Sequence, residues 1–174
     1  MKTLLLLRHA KSDWGDRDDF DRTLNPRGRS AAPKMAQYIN TQNLTPDLVW
    51  CSTAQRARQT WSLVGPALTS ALTHADQDIE VTLRDELYLA PSSRLLDLIK
   101  TAPDATQRLM IVAHNPGLHD LAISLTKTAR APEALTQLEA GLPTAALIVL
   151  EFDVGRWAAI DRGILERFVR PKTL

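Results

Sequence analysis

TLLLLRHAKS, residues 3–12, sets the architecture. Leu4, Leu5, Leu6 and Leu7 leave no alternation of apolar and polar positions, so both faces of this segment are covered, as in a strand of a largely parallel sheet packed between helices. The run stops at once on Arg8 and His9. It is shorter than the roughly 7–15 apolar residues of a secretory leader, which predicts a buried strand in a cytoplasmic protein.

The same grammar repeats outward from this strand. Residues 47–51 (DLVWC), 79–83 (IEVTL) and 109–113 (LMIVA) read as further strands, and His114 follows the last of them. Helical segments lie between. Asn25 is a candidate N-cap with Pro26 at the first helical position, and Met35, Tyr38 and Ile39 form an apolar stripe, with Pro33 expected to kink the helix or delay its start. Ser52 or Thr53 is expected to cap a helix through Trp61 that ends or kinks near Gly65 and Pro66. Residues 91–100, with Leu95, Leu98 and Ile99 inward, and residues 116–125 read as two more helices. Near the end, Asp153, Val154 and Gly155 predict a hairpin between strands at 144–152 and 156–160. Strands alternating with helices predict a three-layer α/β/α sandwich with a mainly parallel sheet, in one domain over residues 1–174.

Composition excludes several functions. Twenty-one Lys+Arg against 20 Asp+Glu leave a formal charge of +1, which argues against a nucleic-acid partner and against an acidic disordered tail. Hydrophobic residues make up 44% of the chain, enough for a core. The longest apolar run falls short of the ~20 residues that span a bilayer, so no membrane partner is expected. A lone cysteine, Cys51, rules out an internal disulfide and a multi-cysteine metal site, and reads as a small buried residue.

His9 and His114 both follow apolar strands, and ligands of open α/β sheets bind beyond the carboxyl ends of the strands. Arg8 stands beside the first histidine, and Arg56 opens the helix after the second strand. Two guanidiniums and two imidazoles in one crevice suit a phosphoryl group. Guanidinium forks match its oxygens, and a neutral imidazole is a competent nucleophile toward phosphorus. Neighbouring arginines disfavour the imidazolium form, and helix N-termini near Ser52 and Pro116 add N–H donors. Lys11 and Ser12, just after His9, are placed to line the pocket, and Lys11 and Asn115 are further phosphate-binding candidates.

These residues carry a family resemblance. LLLLRHAKS (4–12) resembles the signature block of the histidine phosphatase superfamily, the phosphoglycerate-mutase-like fold, where RHG is usual and RHA marks one bacterial branch. STAQRARQT (52–60) is similar to its second block and VAHNPG (112–117) to its third. LNPRGRSAA (24–32) matches its LTxxG segment, with Asn25 in place of threonine. RHA, HNPG, ELYLAP and the short chain look closest to the SixA-like branch, the phosphohistidine phosphatases. The resemblance implies that His9 is the nucleophile and is phosphorylated, that Arg8 and Arg56 bind the phosphoryl oxygens, and that His114 stabilises the transition state. Water then hydrolyses the phosphohistidine in a two-step mechanism without metal or other cofactor. The partner it implies is a phosphorylated substrate, such as a phosphohistidine-bearing signalling protein. A general acid is expected at Asp85 or Glu86 if the leaving group needs one; the alternative for both is a solvated turn.

Rival readings are weaker. Asp19, Asp21 and Thr23 match DxDxT, the nucleophile loop of haloacid-dehalogenase-type phosphatases, but no apolar strand precedes them. A cysteine phosphatase needs C-x5-R, and Cys51 is followed at that spacing by Ala57. His114 and His119 are five apart, not the four that put two metal ligands on one helix face, and His74 reads as a surface residue. The charged loop Asp13–Arg22 has two readings, a cover over the pocket that touches substrate or, the favoured one, a solvated connection, with Trp14 packing on a ligand or anchoring the loop, while Trp50 and Trp61 read as core. Two other functions share the residues: a small-molecule phosphomonoesterase or mutase, and a non-catalytic phosphoprotein-binding module. Intact His9 argues against the last.

Overall fold

A computed structural model describes residues 1–70 and 78–174; His74 lies outside the described residues. One seven-stranded sheet organises them. The strands are β1 (Lys2–Arg8), β2 (Leu48–Ser52), β3 (Glu80–Arg84), β4 (Arg108–Ala113), β5 (Thr126–Ala129), β6 (Leu147–Phe152) and β7 (Gly163–Val169), in spatial order β3-β2-β4-β1-β6-β7-β5. Four pairings are parallel and the two made by β6 are antiparallel. The expected mainly parallel α/β sheet is therefore present.

The leucine run explains the layering. Leu4 and Leu6 enter one apolar cluster with α3 (Ser92–Ile99), α4 (Gly117–Leu125) and α5 (Pro132–Glu139). Leu5 and Leu7 enter another with α1 (Pro26–Thr41) and α2 (Gln55–Thr69). Period-two geometry sends alternate side chains to opposite faces, and helices on both faces require every position to be apolar.

Local chemistry starts α1 where expected. Asn25 Oδ1 accepts from the Gly28 N–H at 3.0 Å, with Pro26 next in line. Pro33 sits inside a continuous helix rather than delaying it. The α2 expectation needs correction: its N-cap is Ala54, with no side-chain cap, and the helix runs past Gly65 and Pro66 to Thr69. Ser52 ends β2, two residues before the N-cap, and its hydroxyl meets His114 while accepting the Ala54 N–H at 3.3 Å.

The predicted hairpin is also corrected. The strand paired with β6 is β7, and residues 157–159 form a 3₁₀ turn. Trp157 is fully buried and its Nε1–H donates to the Thr106 carbonyl at 2.9 Å, while the buried Lys2 ammonium donates to the same carbonyl at 2.8 Å. Burying that indole under the sheet outweighs continuation of a ladder at 156–160. Residues before 147 are diverted too, since the Ala145 N–H donates to the Arg8 and His9 carbonyls at 3.1 Å.

Candidate active site

Adjacency of β2, β4 and β1 brings the chemistry together. Arg8 pairs with Ala113 in register, and Cys51 pairs with Val112. His9 and His114 therefore follow neighbouring strand ends, and their ring centroids lie 5.2 Å apart. Arg56, in the first turn of α2, donates through Nε to His9 Nε2 at 3.3 Å. His9, Arg56 and His114 are all buried, at 6%, 2% and 3% exposure.

Hydrogen bonds assign the His9 tautomer. Nδ1 lies 2.8 Å from the Ala10 carbonyl, which can only accept, so Nδ1 carries the proton. Nε2 then holds the lone pair that receives the Arg56 N–H. Burial lowers the His9 pKa to about 3, against the Ala10 hydrogen bond, which raises it; His114, Arg56 and Arg8 lower it further. The arginines expected to keep this ring neutral do contribute, but burial is the larger cause.

His114 is likewise lowered to about 3, by burial first and then Arg56. Its Nε2 is 2.7 Å from Ser52 Oγ, and its Nδ1 is buried without a partner. Arg8 donates through Nη1 to the Leu142 carbonyl at 2.7 Å, and its Nε is a second buried polar atom without a partner. One of these orphaned atoms belongs to the residue before His9 and the other to the imidazole 5.2 Å from it, and a ligand oxygen would satisfy them.

The other candidates are placed differently. Lys11 is exposed and lines a cleft against α1 and the chain's last residues. Asn115 Nδ2 donates to the Leu142 carbonyl at 3.0 Å, the same acceptor that Arg8 uses. Asp85 and Glu86 are exposed in a 3₁₀ turn after β3; Asp85 Oδ1 accepts from the Thr53 hydroxyl at 2.7 Å. Cys51 is buried, with its thiol pushed up to about 12 by burial.

Asp19 and Tyr88 belong to the site and were not anticipated. Asp19 Oδ2 accepts from Arg56 Nη2 at 3.0 Å and from the Tyr88 hydroxyl at 2.6 Å, and the Asp19 carbonyl accepts from Arg56 Nη1. Tyr88 stands edge-on to His114 at 5.6 Å. Burial raises the Asp19 pKa, but Tyr88, Arg22 and Arg56 outweigh it and hold the carboxyl at about 2. The loop at 13–22 thus covers the crevice rather than standing free. Trp14 is exposed and stacks on Arg22 of the same loop, whose guanidinium lies 3.8 Å from the ring centroid. The charge-rich sequence hid Asp19 among equivalent carboxylates. Ser52 carried a faint signal, as a polar residue ending an apolar strand.

Buried neutral imidazoles between guanidiniums, at the carboxyl edge of a parallel sheet, define a protein that handles phosphoryl groups. Comparison with known proteins agrees. Residues 4–87 match the family model for the histidine phosphatase superfamily, branch 1. An uncharacterized protein of Mycobacterium leprae is 31% identical over 160 residues, covering 89% of this chain and 92% of that one. A crystal structure named for a phosphohistidine phosphatase assignment, SixA from Agrobacterium tumefaciens, is 31% identical with a TM-score of 0.78, covering 98% of each chain. A protein of the same naming from Nakamurella multipartitia is 27% identical with a TM-score of 0.80, covering 98% of this chain and 96% of that one. The chain belongs to the histidine phosphatase superfamily, in its SixA-like branch, and its class of activity is that of a phosphatase.

Proposed function

We propose that the protein hydrolyses phosphoramidates, foremost phosphohistidine on a protein, through a phosphorylated His9. The observation that carries this reading is the His9 tautomer: a buried, neutral ring with its Nδ1–H held by Ala10 and its Nε2 lone pair turned to Arg56. In the first step Nε2 forms a bond to phosphorus as the bond to the leaving imidazole nitrogen breaks, and that nitrogen takes a proton from solvent. In the second, water attacks phosphorus, the bond to Nε2 breaks, inorganic phosphate leaves and the lone pair returns to Nε2. Arg8 and Arg56 hold the phosphoryl oxygens, and His114 serves them through its unpartnered Nδ1.

The leaving group follows from the acid. Asp19 is held as a carboxylate, and Asp85 and Glu86 are exposed. An alkoxide needs a proton donor, and such help is worth about 10²–10⁴-fold; an imidazole is a far better leaving group. The phosphohistidine phosphatase naming of the Agrobacterium and Nakamurella structures supports the same substrate. The reading takes residues 1–174 as one catalytic unit.

Rates on phosphoramidate, a phosphohistidine peptide and simple alkyl phosphate esters test the substrate, and alkaline quench with mass spectrometry tests the intermediate. The expected result is fastest turnover of the two P–N substrates, with label on His9. Faster ester turnover would point to a general phosphomonoesterase. Turnover without label on His9 would remove it as nucleophile.

A further inference from the structure

Beside the crevice lies a cleft of about 550 Å³ that concentrates uncompensated charge. Arg27 and Lys34 of α1, Lys11, and Arg170 and Lys172 near the end of the chain all line it, and no carboxylate among the described residues does. None of the five makes an ion pair among the described residues. Arg170 Nε is buried with no partner. In a chain of net charge +1 this is a strong local excess. Arg27 and Lys34 stand two helical turns apart on one face of α1, and the rest of the lining is mostly apolar, Pro26, Ala31, Pro143 and Pro171 with the hydroxyls of Ser30 and Thr144.

The cleft continues toward the catalytic residues. A second hollow, of about 510 Å³, shares Pro143 and Arg170 with it and ends at Asn115, the residue after His114. Both hollows are built on the segment whose Leu142 carbonyl receives Arg8. The result is an open trough from α1 to the edge of the crevice, with cationic walls and a largely apolar floor at the α1 end, and with Arg170 beside the polar Thr136, Gln137 and Asn115 at the other.

We infer that this trough docks an acidic, partly apolar segment of the phosphoprotein substrate next to its phosphohistidine. The inference rests on the proposed protein substrate. A free phosphate would gain nothing from the apolar floor, whereas an acidic segment carrying a few leucines uses both floor and walls. Single exposed ion pairs are weak, but a cluster of one sign raises association rates by 10-fold or more, and salt screens the effect.

Two phosphohistidine peptides test this, one flanked by Glu, Asp and Leu and the other with Gln and Asn replacing the acids. Wild type should favour the acidic peptide by about tenfold in kcat/KM at low salt. The preference should vanish at high salt and in the variant Arg27→Glu/Lys34→Glu/Lys172→Glu, while phosphoramidate, too small to reach the trough, turns over unchanged. Lys34→Glu alone should give a partial loss, and it serves if the triple variant does not fold. No preference in wild type, or one that survives charge reversal, would overturn the inference. Fluorescence anisotropy of the unphosphorylated acidic peptide reads docking without chemistry. If no P–N substrate is hydrolysed, the proposed function falls, yet peptide binding that charge reversal abolishes still sustains the trough. Binding of tripolyphosphate but not of the peptide would make it a small-anion site and overturn the docking role.

Discussion

The His9 ring is kept neutral, with its lone pair on Nε2, by one carbonyl, that of Ala10, and by burial. His9→Ala should leave the fold intact and abolish phosphate release, because no other group occupies that position. Arg8→Ala, Arg56→Ala and His114→Ala should each lose about 2–4 kcal/mol of transition-state stabilisation, read as kcat/KM. Cys51→Ser and added chelator should leave the rate unchanged. Asp19 offers Arg56 a carboxylate where a phosphoryl oxygen would bind. Asp19→Asn should therefore lower the inhibition constant of inorganic phosphate by up to about fivefold, the worth of a half-exposed ion pair near 1 kcal/mol. An unchanged or higher constant would mean that Asp19 positions Arg56 rather than competing for it.

Two elements hold the crevice in shape. A Cβ on Gly28 would lie 2.1 Å from the Lys11 carbonyl oxygen, so α1 can pack against the loop segment after His9 only through a glycine. Gly28→Ala should cost about 1–3 kcal/mol, seen as a lowered melting temperature, with a fall in kcat because the displaced backbone is two residues from His9. The turn after β3 bears on the leaving group. Asp85 is tied to Thr53, next to the Ser52 that meets His114, whereas Glu86 makes no side-chain bond among the described residues. Asp85→Asn should barely slow phosphoramidate hydrolysis and should lower any alkyl ester activity by at most the 10²–10⁴-fold of general acid help. Glu86→Gln should be silent on both. Equal large losses on both substrate types at Asp85 would make the acid obligatory and displace the phosphohistidine reading.

Burial of two neutral imidazoles links the site to the stability of the entire domain. Both stand near 3 in the folded protein against an ordinary 6.5. Below about pH 6.5 the unfolded chain binds protons that the folded one refuses, so stability falls as pH drops from there toward 3 and is insensitive to these groups above it. Each imidazole contributes a slope of at most about 1.4 kcal/mol per pH unit. The urea midpoint, followed by circular dichroism, should fall between about pH 7 and about pH 5, and His114→Phe should flatten the slope. In the same window kcat/KM should lack the acid limb near 6.5 that an ordinary histidine nucleophile shows.

Much of this is legible in the sequence itself. The unbroken leucines imply helices on both faces, because a strand with one wet face cannot carry Leu4 to Leu7 in succession. Arg8, His9, Arg56 and His114 announced themselves by following apolar strands. What remained hidden depends on contacts distant in sequence. Trp157 leaves the ladder because Thr106 and Lys2 meet it beneath the sheet. Ser52 is a histidine partner rather than a helix cap because β2 and β4 are neighbours. Asp19 is one carboxylate in a loop of several until the fold places Arg56 and Tyr88 around it. Side-chain periodicity and residue chemistry are local and survive in a linear string; strand order and the choice among equivalent charges are set by packing across the chain.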